Sequence, residues 1–295
     1  MTNRLLAAAR YHDALTAALP LAGTRALADG PTQGELLLEA DYARQVQPAL
    51  AGLYRRPLVS GLETMLDQTE PEIVRSVLAF YQEQPEPVAQ LGEVYRSFGR
   101  RALNLGGQMG LNELGLYGQF EATDETVLAA VDSAAARLVD TRRGARRSTV
   151  VTTAEEIAAQ VVTKRDEGVT ATDLLPWLGA WILGRTIIRS AVIATTEGVR
   201  MNRLGMVWAF VGNGIRGVRH ECEADVDDRC YGKLCPPLCG TEYELRGVFN
   251  PMGGIPSGGQ IPVHPRCRCW MSPLTDGWLK PALIWTGFAL DALTD

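Results

Sequence analysis

The segment that decides the fold is residues 173–213, DLLPWLGAWILGRTIIRSAVIATTEGVRMNRLGMVWAFVGN. Its apolar and small residues recur at steps of three and four, which is the period of one face of an α-helix. This face consists of Leu183, Ile187, Ala191, Ala194, Gly198, Met201, Gly205 and Trp208. Half of its members are Ala or Gly, and each Gly costs a helix interior about 1 kcal/mol relative to Ala. Two glycines on one face therefore predict a helix that another element approaches closely.

Charges on this segment bear on both burial and membrane insertion. A charged side chain is almost never buried without a partner, so each arginine off the apolar face is expected to face solvent or an acidic neighbour. The apolar run before the first arginine is shorter than the roughly 18–20 residues that a bilayer crossing needs. The opening of the chain also holds too short an apolar stretch for a secretory peptide. We therefore expect a protein made in a cytoplasm, with no membrane partner. The four arginines are Arg185, Arg189, Arg200 and Arg203.

Residues 1–147 are predicted to form helices joined by short polar turns, as a docking or scaffold region. Residues 69–72 (TEPE) are typical of a helix start, with a Thr cap, a Pro in the first turn and a Glu three residues after the cap. A second start is predicted at 123–125, where two acids meet the positive end of the helix dipole. The segment 103–118 holds five glycines and is predicted to interrupt the regular structure.

The predicted domain boundary lies at 142–148, a charged stretch without apolar periodicity. The second domain is predicted to span 148–275 and to open with a helix over 153–164, which starts at a capping box. Four arginines at 142–147 form the densest basic patch, which could contact DNA but is more simply interpreted as a solvated linker. The formal net charge of −5 argues against a general nucleic-acid coat, because phosphate binding needs a surplus of Lys and Arg.

The chain changes character after Gly214, where glycines and prolines become frequent and the helical period ends. Short strands are predicted at 242–249 and near 261–263, with the cysteines in the loops. The last segment, 276–295, is an apolar tail that is expected either to pack back onto the domain or to dock on a partner.

All six cysteines lie within 48 residues, and two of the three histidines lie within this stretch or two residues before it. In a reducing cytoplasm such a cluster indicates a metal before disulfides. The pair Cys267 and Cys269 would place both sulfurs on one side of an extended segment. We predict one structural zinc ion, because a glycine-rich segment with few large apolar residues needs a staple. The first-choice ligands are Cys230, Cys235, Cys267 and Cys269, and the alternates are His220, Cys222, Cys239 and His264.

Two alternatives to a structural zinc stay open. Disulfides would form after lysis, once the protein leaves the reducing cytoplasm. A catalytic zinc would need an open ligand position and a nearby general base, for which Glu221, Glu223 and Asp225 are candidates. The structural role is the expected one, since acids beside a structural knot are common.

Three strings in the second domain resemble the minor head (head-morphogenesis) proteins of tailed bacteriophages, typified by the protein F of phage Mu. The first is RSAVIATTE at 189–197, with Thr195 where the family usually has an arginine. The second is DDRC at 227–230, followed by LCG at 238–240. The third and most specific is PVHPRCRC at 262–269, similar to the family's proline-x-histidine-proline-x-cysteine-arginine-cysteine signature.

The resemblance covers about two-fifths of the chain, within residues 153–273. It implies a virion protein in or at the portal vertex of the head, needed for capsid assembly, DNA packaging or delivery. Its implied partners are the portal, the major capsid protein and packaged DNA, with a homo-oligomer also open. Some relatives have been linked to an ADP-ribosyltransferase-like fold, for which Glu197 is the only candidate catalytic residue here. The simpler interpretation of Glu197 is a helix-surface carboxylate paired with Arg200, or a buried one bonded to the cysteine-rich loops.

The sequence thus predicts an α+β, mainly α protein. A helical N-terminal region is followed by a long helix packed on a small cysteine-rich loop and β unit at 220–269. The expected function is structural, in the phage head, and not enzymatic. The alternatives are an ADP-ribosyltransferase-like or metal-dependent enzyme carried in the head, and a zinc module that binds nucleic acid.

Overall fold

The computed structural model of the chain describes residues 33–116, 118–123, 125–142, 145, 148–215, 217–222, 239–245, 269–274 and 283–285. Among these residues it has six helices and a small sheet of four strands, so the predicted class, α+β and mainly α, is confirmed. The helices are α1 (Gln33–Leu66), α2 (Glu70–Glu83), α3 (Glu86–Glu113), α4 (Glu125–Leu138), α5 (Thr149–Asp166) and α6 (Ala171–Gly212).

Local capping residues explain where several helices begin. Thr69 precedes α2 and forms the predicted capping box, in which its backbone N–H donates to Glu72 Oε2 at 2.8 Å. The predicted start of α5 at Thr153 is wrong, because Ser148 caps the helix instead. Its hydroxyl oxygen accepts from the backbone N–H groups of Val150 and Val151 at 3.2 and 3.3 Å. Helix α5 therefore includes an extra turn, which the more conspicuous Thr-x-x-Glu pattern concealed.

The predicted interruption within 103–118 is found only near its end, where α3 stops at Glu113 and Gly115 follows with a positive φ of 68°. Gly106 and Gly110 lie inside α3 and face α6. They allow that helix to approach. A Cβ atom on Gly106 would lie 1.7 Å from the carbonyl oxygen of Asn202 in α6, and one on Gly205 would lie 1.9 Å from that of Leu103. Both separations are far shorter than any real contact. The two helices therefore meet backbone to backbone, as the glycines of the α6 face predicted.

Two compact units divide the chain, and they are interleaved along the sequence. One contains Tyr42–Arg96 and Ser133–Ala191. The other contains 33–41, Ser97–Asp132 and the described residues from 192 onward. The predicted boundary at 142–148 lies inside the first unit, so it does not coincide with a boundary between the two units. Helices α1, α3, α4 and α6 each contribute residues to both units.

The apolar face of α6 is buried in its second half only. Ala194 and Met201 are 1% and 5% exposed, whereas Leu183 is 58% exposed. The prediction is therefore confirmed for the second half and wrong for the first. In the first half, the buried residues are instead spaced four apart. Each step of four turns about 40° further around the helix than a full turn, so this row departs from the predicted face. That row consists of Leu174, Leu178, Ile182, Thr186 and Ser190.

Helix α6 also meets the length and hydropathy criteria of a membrane span. Its most apolar 18-residue window has a mean hydropathy of 1.2, and 39% of that window is buried inside the protein. The criteria concern length and composition alone, and core helices of soluble proteins meet them as well.

The sheet has the strand order β3-β1-β2-β4, with β1 (Gly217–Glu221), β2 (Glu242–Leu245), β3 (Trp270–Pro273) and β4 (Leu283–Trp285). Strand β1 pairs antiparallel with β2 and β3, and β2 pairs parallel with β4. Strand β2 lies at the start of the strand predicted at 242–249, while the one predicted near 261–263 lies outside the described residues. Strand β4 comes from the predicted apolar tail, so this part of the tail packs back onto the sheet.

Candidate metal centre

Three side chains at the adjoining ends of β1 and β3 can hold a metal ion between them. The ligand atoms of His220, Cys222 and Cys269 all lie within 4.8 Å of one another. Imidazole nitrogen and thiolate sulfur are the ligands that zinc and other borderline metals prefer. The described part of the chain therefore contains a group that could bind a metal, as the clustering of cysteines predicted.

The strand register explains why two of these cysteines meet. In the antiparallel pair of β1 and β3, Glu221 lies opposite Trp270. One further step in the same register places Cys222 opposite Cys269, where side chains on one face are about 4.5–5.5 Å apart at Cβ. His220 precedes Cys222 by two residues, so an extended backbone points both side chains to one face.

A fourth potential ligand, Cys239, approaches from the other side of β1. It forms a disulfide with Cys222, with a Cα–Cα distance of 5.5 Å. The backbone N–H of His220 donates to Thr241 at 2.8 Å, and that of Gly240 donates to His220 at 2.7 Å. Two successive residues thus bond to one residue of β1, and Gly240 has the positive φ of +75° that favours glycine. This local turn directs Cys239 toward Cys222.

The four residues of the cluster differ in solvent exposure. His220 and Cys269 have no exposed surface, Cys222 is half-buried and Cys239 is exposed. Helix α6 supports the buried end, because Arg203 Nε donates to the backbone oxygen of Cys269 at 3.2 Å. Arg203 is 3% exposed and pairs with Glu35 at 3.0 Å. The balanced charge keeps this arginine in place behind Cys269.

The structure brings together residues from both predicted ligand sets. Cys269 comes from the first-choice set, and the alternates His220, Cys222 and Cys239 join it. The other three first-choice residues, Cys230, Cys235 and Cys267, and the alternate His264 lie outside the described residues. The sequence contained the relevant signal: His220 and Cys222 have the same two-residue spacing that singled out Cys267 and Cys269.

A second polar cluster lies in the first compact unit, around Glu156 of α5. Arg185 Nε donates to Glu156 Oε2 at 3.0 Å, and Arg189 Nη1 lies 3.3 Å from the same oxygen. Arg189 Nη1 also donates to the hydroxyls of Tyr54 and Thr153 at 2.6 and 2.8 Å. Tyr54 in turn donates to Glu156. Arg189 therefore contacts an acidic neighbour inside the protein, which is the second of the two positions expected for these arginines.

Burial and charge act in opposite directions on the pKa values of this cluster. Burial raises the pKa of Glu156, but the hydrogen bond from Arg185 and the charge of Arg189 outweigh it and hold the pKa below its ordinary value. Burial, together with the charge of Glu156, raises the pKa of Tyr54 to about 12. At neutral pH the cluster therefore consists of a carboxylate, two guanidinium groups and a neutral phenol.

Glu197, the candidate catalytic residue, is engaged within its own helix. Arg200 Nη1 donates to Glu197 Oε2 at 2.5 Å, which confirms the predicted pairing. Glu197 is 8% exposed, so its predicted position on the helix surface is wrong. Its neighbour Thr195 donates to Glu39 Oε2 at 3.1 Å. The acid and its surroundings form internal contacts of the second compact unit.

No family model matches the chain, and comparisons with curated proteins and with solved structures give no match either.

Proposed function

We propose that the chain is a structural protein of a tailed-bacteriophage head, of the minor head-morphogenesis type. It acts in capsid assembly and in packaging or delivery of DNA, together with the portal or major capsid protein. Its location is the host cytoplasm during assembly and the virion afterwards. The supporting observation is that the elements carrying two of the resembling strings are in contact. Helix α6, which contains 189–197, donates from Arg203 to Cys269, the last residue of the string 262–269.

The contacts of the helix string favour a scaffold over an enzyme. Its first residue, Arg189, bonds to Glu156, Tyr54 and Thr153, and its last, Glu197, pairs with Arg200. An ADP-ribosyltransferase needs a glutamate presented to its substrate, whereas this one is 8% exposed and paired with a cation. The described residues of the string thus serve the packing of the helices around them.

A structural zinc ion is part of the proposal. Strands β1 to β4 are only three to five residues long, so the β unit has little apolar surface with which to stabilise itself. Thiolate and imidazole groups around one ion would supply that stability. Acidic residues at 221, 223, 225, 227 and 228 outnumber the basic residues nearby, which disfavours a zinc module that binds nucleic acid.

The head function can be tested on the genes that neighbour the one encoding this chain and on the phage heads that are produced. We expect a portal gene upstream and a scaffold or capsid gene downstream. Deletion of the gene should lower the yield of DNA-filled heads, and a copy supplied in trans should restore it. The protein itself should sediment with purified heads. An unchanged yield, together with heads that lack the protein, would overturn the proposal.

A further inference from the structure

We propose that His220, Cys222, Cys239 and Cys269 form one tetrahedral zinc site, and that the Cys222–Cys239 disulfide is the oxidised, metal-free state of the same site. This inference rests on the structural zinc of the proposed function and assigns its ligands. It also implies that zinc binding and the disulfide exclude each other, because both use the sulfurs of Cys222 and Cys239.

The geometry of the described residues carries the assignment. Tetrahedral ligands at 2.0–2.3 Å from a zinc ion are about 3.3–3.8 Å apart. The ligand atoms of His220, Cys222 and Cys269 already lie within 4.8 Å of one another. A contraction of about 1 Å therefore suffices, which side-chain rotation supplies without a change in strand register.

The disulfide identifies the fourth ligand. Because Cys239 is bonded to Cys222, its sulfur lies next to the Cys222 sulfur, which is one of the three clustered ligand atoms. Opening that bond by reduction leaves two thiolates next to each other, close to the ends of the neighbouring strands β1 and β2. Together with Cys269 and His220 they complete a closed set of three sulfurs and one nitrogen, which is a common structural zinc site.

Burial determines the order of events at the site. His220 and Cys269 have no exposed surface and stay fixed by the sheet and by Arg203, whereas Cys239 is exposed. An oxidant therefore reaches Cys239 first. Since Cys222 is only half-buried and lies beside it, the second step of disulfide formation needs no unfolding.

The chemistry balances with a small disulfide such as oxidised glutathione as the oxidant. The Cys239 thiolate attacks one sulfur of the oxidant and expels the first glutathione thiolate. The Cys222 thiolate then attacks the Cys239 sulfur and expels the second. Two electrons pass from the protein to glutathione, both glutathione thiolates take a proton from water, and the zinc ion leaves with its charge unchanged.

The two states suit the two environments of a head protein. Thiols stay reduced in the host cytoplasm, whereas disulfides persist on virions and outside cells. The β unit would be stapled by zinc during assembly and by the Cys222–Cys239 bond after release. In both states the ends of β1 and β2 remain tied together.

The experiment measures zinc per chain and free thiols in the purified full chain under reducing conditions. Wild type should hold one zinc ion. Cys222→Ser and Cys239→Ser should each weaken zinc binding by more than the roughly 10–100-fold that loss of an outer-shell partner costs. The matched controls Cys230→Ser and Cys235→Ser should keep the ion. Because none of the four ligands lies in a helix, far-ultraviolet circular dichroism should show unchanged helix content in each variant, which separates loss of a ligand from global unfolding.

Oxidised glutathione then tests the exclusion. Wild type should release its zinc in step with the loss of two thiols. After trypsin, the peptide 220–229 should be linked to 234–246, and fragmentation should assign the link to Cys239 and not to Cys235. Cys239→His restores a ligand but cannot form the disulfide. This variant should bind zinc and keep it in the presence of the oxidant.

Three results would overturn the inference. Loss of zinc from the Cys230 and Cys235 variants, but not from those of Cys222 and Cys239, would move the ion to other ligands and leave the structural zinc of the proposed function intact. Zinc retained while the Cys222–Cys239 bond forms would refute the exclusion. Reduced wild type without zinc would refute both the proposed site and the structural zinc ion. The head function is tested separately, by sedimentation of the protein with heads.

Discussion

The two halves of α6 pack against their neighbours in different ways. Residues 192–212 meet α3 through Gly205 and Gly106, so closely that no side chain fits between the two backbones. Residues 171–191 instead bury a polar network, in which Arg189 bonds to Glu156 and Tyr54. The second half buries paired charge too, in Arg203 and Glu35, so the close approach of two backbones is what distinguishes it from the first half.

This difference shows that a continuous helical pattern can hide two kinds of packing. The second half is stabilised by dispersion between closely approaching atoms, which tolerates no added volume. In the first half, Glu156 balances Arg185 and Arg189, and loss of the carboxylate would leave buried charge without compensation. Variants in the two halves should therefore differ in size of effect and in response to pH.

The largest effect is expected for Gly205→Ala. The new Cβ would lie 1.9 Å from the Leu103 carbonyl oxygen and 2.7 Å from the Gly107 nitrogen, both backbone atoms that cannot move cheaply. We expect a loss of more than about 3 kcal/mol in the free energy of unfolding, measured by urea titration.

The matched control is Gly179→Ala, in the first half of the same helix. A Cβ there meets nothing within 4 Å, so the variant should gain up to about 1 kcal/mol from helix propensity. Equal effects of the two substitutions would contradict the backbone contact at Gly205.

Glu156→Gln should cost about 3 kcal/mol, because the largely buried guanidinium of Arg189 loses the charge that balances it. The same urea titration measures the loss. Glu155→Gln, the exposed neighbour on α5, is the control and should stay within about 0.5 kcal/mol of wild type. A Glu156 variant as stable as its control would show that the network contributes nothing to stability.

The cost of Glu156→Gln should also depend on pH. Folding lowers the pKa of Glu156, so the folded protein binds this proton more weakly than the unfolded chain. The stability that the carboxylate contributes is complete above its ordinary pKa of 4.5 and is lost as the pH falls through the folded value. The difference in unfolding free energy between wild type and variant should therefore shrink from pH 6 toward pH 3. A difference that stays constant over this range would refute the assignment.

The smallest effect is expected for Glu197→Gln in the second half. The amide oxygen still accepts a hydrogen bond from Arg200, so the loss should be about 1 kcal/mol. Incubation of the wild type and this variant with labelled NAD should label no target in either case. Labelling by wild type that the variant abolishes would replace the head function with an ADP-ribosyltransferase.

Prediction from sequence succeeded where the signal is local. The capping box at Thr69 depends on residues next to it in the chain. The glycines of α6 remove side-chain volume from one face, so they predict a close approach whichever element makes it. The start of α5 was missed because two capping patterns lie five residues apart and only packing selects Ser148. Strands β1 and β3 were missed because strands so short take their stability from pairing rather than from intrinsic preference.

The sequence predicted which kinds of residue form the candidate site, but not which individual residues meet in it. Clustering of cysteines and histidines identified the segment, and the resemblance at 262–269 pointed to the residues around Cys269. Which residues meet depends on the register of β1 with β3 and on the turn at Gly240, both of which are long-range or conformational properties. A ligand set taken from loop spacing therefore could not include His220 and Cys269 together.

The sequence by itself determined that this protein is mainly helical, that one face of its longest helix must be approached closely, and that its cysteine-rich segment is stapled. These features follow from side-chain period, residue size and ligand chemistry. Only the tertiary structure decided which half of α6 buries that face, which acids pair with its arginines, and which cysteines lie close together. The physical reason is that burial and coordination require partners distant in the chain, and nothing in the spacing of residues along the helix records where those partners lie.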